Sequence, residues 1–112
     1  MLGFVLAAAA LNEIYAAHDL PAALDAYRAC VRAKAAAFEK AGESVEFTVN
    51  AAFQACGNEQ ATIELIVDDL ADQQGLSAER KRIRREGVLE LVEKPLRAGI
   101  TEELMMKRAA RH

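Results

Sequence analysis

The stretch VNAAFQACGNEQATIELIVDDL, residues 49–70, decides the fold. Within and around it, Val49, Phe53, Cys56, Gln60, Ile63, Val67 and Leu70 follow one another at steps of 4, 3, 4, 3, 4 and 3. That alternation keeps one side of a helix against a neighbour along its whole length, whereas a half-buried strand needs a period of two. Glu59, Glu64, Asp68, Asp69 and Asp72 then fall mostly on the solvent side. Gly57-Asn58 is a pair that commonly ends a helix, but the register runs through it unbroken. One long helix with a weak point is therefore expected over 45–73, ending at Gln73-Gln74-Gly75.

Working upstream, Ser44 is placed to cap this helix and Gly42 to end the one before it. His18-Asp19-Leu20-Pro21 is a helix start: Asp19 offers a carboxylate to the first amides, and Pro21 sits where a missing N–H costs nothing. The segment between, 22–41, has almost no breaker, and Leu24, Tyr27, Cys30 or Val31, Lys34 and Phe38 recur at helical spacing. The two helices predict an antiparallel hairpin over 20–75. Cys30 lies thirteen residues before Glu43 and Cys56 thirteen after it. Equal offsets put both at one height, about 20 Å from the turn at ~1.5 Å per residue. A Cys30–Cys56 disulfide is the expectation, and it points to an oxidising compartment, periplasmic or secreted. The alternative is two small buried hydrophobes in a reducing cytoplasm.

Tyr27-Arg28-Ala29-Cys30 followed by Ala55-Cys56 resembles the pattern of small exported helical proteins of Gram-negative bacteria. The resemblance spans roughly residues 20–75. It implies a disulfide-stapled helical hairpin and supplies no functional residues. The amino terminus departs from it. Leu2–Leu11 is a ten-residue apolar run of suitable length for the core of a signal peptide, with Ala8 and Ala10 as small cleavage-site residues, yet no Lys or Arg precedes it. Phe4, Val5, Leu11 and Ile14 read equally as the stripe of a first amphipathic helix. The run is too short to cross a bilayer.

The carboxyl-terminal third differs in charge. Residues 80–112 carry ten basic and five acidic side chains, while residues 1–79 carry four basic and twelve acidic, within a formal net charge of −3. Arg80, Lys81, Arg82, Arg84 and Arg85 crowd one helix that Ser77 caps. Two readings follow: the basic helix lies against the acidic hairpin, or it docks an acidic partner or nucleic acid. No aromatic residue lies beyond Phe53 to stack on bases, and neither a zinc-finger spacing nor a GXXG loop is present. Past Gly87, Val88, Leu89, Leu91, Val92 and Leu96 form the main apolar face. Pro95 predicts a kink or break and Arg97-Ala98-Gly99 a helix end, with Thr101 capping a last helix that carries Leu104, Met105 and Met106.

Composition agrees with an all-α bundle built on the hairpin. The 112 residues allow one domain, 24 of them are alanine, and only 5% are aromatic. So little large apolar area makes a staple, a protein partner or a homo-oligomer an economical source of stability. Three parts are expected: an amino-terminal apolar segment at 1–17, the hairpin at 20–75, and a basic helical segment at 76–112 that packs on it through a helix at 78–98. Neither His18 nor His112 has a nucleophile or a metal ligand at a workable spacing, there is no CxxC, and the glycines form no phosphate loop. The expected function is a noncatalytic one, exercised by protein–protein contact in the bacterial envelope, with no cofactor and no metal. The alternative is a nucleic-acid-associated or regulatory protein using residues 80–85.

Overall fold

The computed structural model describes residues 19–40 and 42–111, and every regular element among them is a helix: α1 Leu20–Phe38, α2 Val45–Ala55, α3 Gly57–Gln73 and α4 Ala78–Ala110. The amino-terminal segment at 1–17 lies outside the described residues.

Pro21 stands in the first turn of α1, as its lack of an N–H allows. Asp19 caps that turn with its main-chain oxygen, which accepts the Ala23 N–H at 2.9 Å. Its carboxylate makes no capping bond, contrary to expectation. The buried row is Ala23, Tyr27, Val31 and Ala35, each four residues from the last. Leu24 and Cys30 are half-buried, and Lys34 and Phe38 are exposed, so the face has rotated from the expected one. A strict four-residue ridge is what fits into the groove of a facing helix, and the small Ala23 and Ala35 at its ends let the backbones approach.

Ser44 begins α2 by accepting the Phe47 N–H at 3.0 Å. The single helix expected over 45–73 is in fact two. Cys56 leaves helical geometry (φ −104°, ψ 29°), its N–H bonding to the Phe53 oxygen at 3.1 Å while its own oxygen accepts the Gln60 N–H at 3.1 Å. Gly57 and Asn58, poor helix formers, open α3 directly after it. Only one residue is displaced, so the stripe survives: Val49, Phe53, Cys56, Ile63 and Val67 are all buried, and Gln60 and Leu70 are half-buried. Gly75 ends α3 in the left-handed region (φ 71°), with the Leu76 N–H bonded to the Ala71 oxygen and the Gly75 N–H to the Asp72 oxygen. This six-to-one and five-to-two pattern satisfies the last carbonyls.

The 33 residues of α4 span about 50 Å. The helix neither breaks at Pro95 nor ends at Gly99, and Thr101 is interior rather than a cap. The carbonyl that Pro95 leaves without a donor belongs to Leu91, which is 79% exposed, so water can satisfy it. The opposite side holds the helix together through a continuous buried row of Val92, Leu96, Ile100 and Leu104. A proline costs a helix about 3 kcal/mol, against roughly 1.5–3 kcal/mol from each such side chain buried.

Cross-contacts fix the directions. Tyr27 meets Glu93 and Glu39 meets Arg108, so α4 runs parallel to α1. Asn50 meets Arg97, Asp68 meets Arg85 and Asp72 meets Lys81, so α4 runs antiparallel to α2 and α3. Instead of a helix at 78–98 lying across the hairpin, α4 follows the whole broken rod of α2 and α3. The disulfide joins α1 to the break in that rod. Among the described residues the result is a disulfide-stapled bundle of four helices.

Candidate functional site

Cys30 and Cys56 are bonded to each other, with Cα atoms 6.1 Å apart, as their equal offsets from the turn predict. One turn along α1, the fully buried Tyr27 meets Phe53 edge-to-face at 6.1 Å and donates its hydroxyl to Glu93 at 2.7 Å. Burial, reinforced by the Glu93 carboxylate that accepts its proton, pushes the Tyr27 phenol well above its ordinary range. Arg97 covers the Phe53 ring at 4.5 Å and donates to the Asn50 side chain at 2.6 Å. Neither Glu93 nor Arg97 announced itself in the sequence, because each lies one step from the apolar row of α4 and its partner is more than forty residues away.

This cluster is closed rather than reactive. Cys30, Cys56 and Glu59 bring their ligand atoms within 4.8 Å of one another, the one such group among the described residues. The two sulfurs are already bonded, so neither is the thiolate that a metal or a nucleophilic step requires. Ser44 and Ser77 spend their hydroxyls on the Phe47 and Arg80 amides. Thr62 donates to the Asn58 oxygen within its own helix.

The basic segment divides. Lys81 reaches Asp72 at 2.6 Å, and Arg85 reaches Asp68 at 2.9 Å with Glu64 at 4.0 Å. Glu64, Asp68 and Asp72 stand one turn apart on α3, and Lys81 and Arg85 one turn apart on α4, so antiparallel helices bring the two rows together in reverse order. Glu64 and Asp68 are accordingly half-buried rather than solvent-facing, while Asp72 stays exposed. The carboxylates hold the Lys81 ammonium above its usual range, chiefly through the hydrogen bond it donates to Asp72. Arg82 turns to Glu86 on its own helix at 3.1 Å, and Arg84 donates to Gln74. Arg80 has no ion pair among the described residues. Two of the five cations thus close the bundle.

A second charged junction lies at the far end. Arg108 donates to the Glu39 carboxylate at 2.6 Å and to the main-chain oxygens of Lys40 and Glu43. The Glu39 side chain is only 5% exposed, and its other oxygen, Oε2, is buried without a hydrogen-bond donor.

The outward side of α4 is different in kind. Val88, Leu91, Pro95, Ala98, Glu102 and Met105 recur at steps of 3, 4, 3, 4 and 3. Leu91 and Met105 are 79% and 58% exposed. Two shallow grooves of about 760 and 590 Å³ run along this face, one around Leu91 and the other around Met105. The sequence reading put Leu91 in the packing face with Val92, since neighbouring residues on a dense apolar run are not separable without the partner.

No family model, curated protein or solved structure matches this chain. Among the described residues no helix is long and apolar enough to cross a membrane. What the geometry defines is a small all-helical domain without a catalytic or metal-binding arrangement among the described residues.

Proposed function

We propose that this chain is a noncatalytic contact protein of the bacterial envelope. The observation that carries the contact reading is the outer stripe of α4, where Leu91 and Met105 stand in solvent although the same helix buries a full row on its other side. Scattered exposed leucines are ordinary, but a stripe in register over five turns is the form that helix-to-helix recognition takes. The disulfide supports the envelope location, because such bonds persist where thiols are kept oxidised. The pairing of Lys81 and Arg85 with the acidic ridge weighs against a nucleic-acid surface at 80–85, since phosphates would have to displace those carboxylates.

A photoreactive side chain at Leu91, activated in intact cells, should give one discrete adduct of higher mass, and the same group at the exposed Arg32 should give none. Thiol trapping in fractionated cells should find the chain in the envelope fraction with both cysteines blocked. Absence of any adduct at Leu91 overturns the contact reading. A cytoplasmic chain carrying two free thiols overturns the location.

A further inference from the structure

We infer that the partner seated on the outer stripe of α4 is a second copy of the same helix, running antiparallel. The inference rests on the contact reading above and names its occupant. Residues 84, 88, 91, 95, 98, 102, 105 and 109 are spaced 4, 3, 4, 3, 4, 3 and 4 apart, a sequence of steps that reads the same in both directions. Turned about a two-fold axis between Pro95 and Ala98, the stripe falls onto itself in a single register. Val88, half-buried but still lining the groove around Leu91, then faces the partner's Met105, Leu91 faces the partner's Glu102, and Pro95 faces the partner's Ala98. An isologous pair requires this self-complementarity, with each contact made twice. Small residues meet at the axis, where two helices approach most closely, and large ones flank them.

Charge selects the same orientation. In the antiparallel register, the partner's Lys94 lies beside the Leu91 position that Glu102 faces, so each Glu102 meets a lysine and two symmetric ion pairs form. A parallel pairing in register would set Glu102 against Glu102 and Arg84 against Arg84, which is repulsive at both ends. Lys94 and Glu102 are exposed and neither enters an ion pair among the described residues. Six apolar or amphipathic side chains per helix, with the stems of Arg84 and Lys94, would bury roughly 1,000–1,200 Å² in total, at the lower bound of specific interfaces. A dimer of that size dissociates on dilution.

Sedimentation equilibrium of the full chain over a concentration series tests this. Twice the monomer mass is expected at high concentration, giving way to monomer on dilution. Lys94→Glu and Glu102→Lys should each weaken association at least tenfold, the double variant K94E/E102K should restore it, and Leu91→Glu should abolish it. All three positions are exposed, so unchanged helicity and thermal melting at low concentration check that the fold is intact. A chain that stays monomeric at millimolar concentration overturns the inference, as does a dimer indifferent to both charge reversals. An adduct at Leu91 to this chain's own residues 2–15, or to a different protein, also overturns it. In the last case the contact reading stands while self-pairing falls.

Discussion

Opening the Cys30–Cys56 bond should remove a large part of the stability of the bundle. The bond closes a loop of 25 intervening residues, since its ends are separated by 26 positions. In the chain-entropy description such a loop restricts the unfolded state by about 3.5 kcal/mol. Domains of this size are stable by only about 5–15 kcal/mol in all. Two features of the structure add to the loss. Cys56 is fully buried at the break between α2 and α3, so a free thiol there must be accommodated in packed space. The bond also anchors that break to α1, at the point where the α2–α3 rod leaves helical geometry. Urea unfolding of the oxidised protein, of the protein in reductant, and of C30A/C56A would measure the effect. The expected loss is about 3–4 kcal/mol on reduction, equivalent to roughly 15–25 °C in melting temperature. The slope against urea should rise as well, because an unfolded chain without the cross-link exposes more surface. A loss below about 1 kcal/mol with an unchanged slope would refute the argument that the staple works by restricting the unfolded chain.

Three further outcomes follow from the charged and polar junctions. Arg108→Ala should cost about 3 kcal/mol, because it leaves the buried Glu39 carboxylate with only Arg111 at 4.0 Å, and adding Glu39→Gln should recover part of that in a double-variant cycle. Arg85→Ala should cost no more than about 1 kcal/mol, and less in high salt, since Arg85 and Asp68 remain partly in water. Tyr27→Phe should cost roughly 1.5–3 kcal/mol by removing the hydrogen bond to Glu93. The folded state holds the Tyr27 phenol protonated at pH values where an unfolded tyrosine ionises. Its contribution is therefore complete below about pH 10 and declines as the pH rises past that point, and the alkaline limb of the stability profile should flatten in Tyr27→Phe.

The hairpin was legible because its evidence is one-dimensional. Two caps, two glycines, a repeating step and two equal offsets from Glu43 specify a pair of antiparallel helices and the sulfurs that meet between them. The face of α1 was less legible, because alanine gives little hydrophobic contrast. Leu24 and Phe38 outrank Ala23 and Ala35 by size, yet the partner's groove admits the row with the smallest ends. Pro95 was misread for a related reason. A proline is judged by the donor it removes, and whether that matters depends on whether water reaches the Leu91 carbonyl. The break after Ala55 was visible in Gly57-Asn58 but outweighed by a register that one displaced residue leaves intact. Glu93, Arg97 and Arg108 were not visible at all, since their roles depend on partners 47 to 69 positions away.

The Arg108 junction has a consequence for how the molecule comes into being. Its guanidinium joins the turn between α1 and α2 to the last turn of a helix that starts more than thirty residues later. During synthesis, the segment that holds both cysteines is complete while α4 is still emerging. Until Arg108 arrives, the carboxylate of Glu39 lacks the donor that offsets its loss of water. Closure of this junction is thus deferred until the far end of α4 has been made, long after the turn it holds.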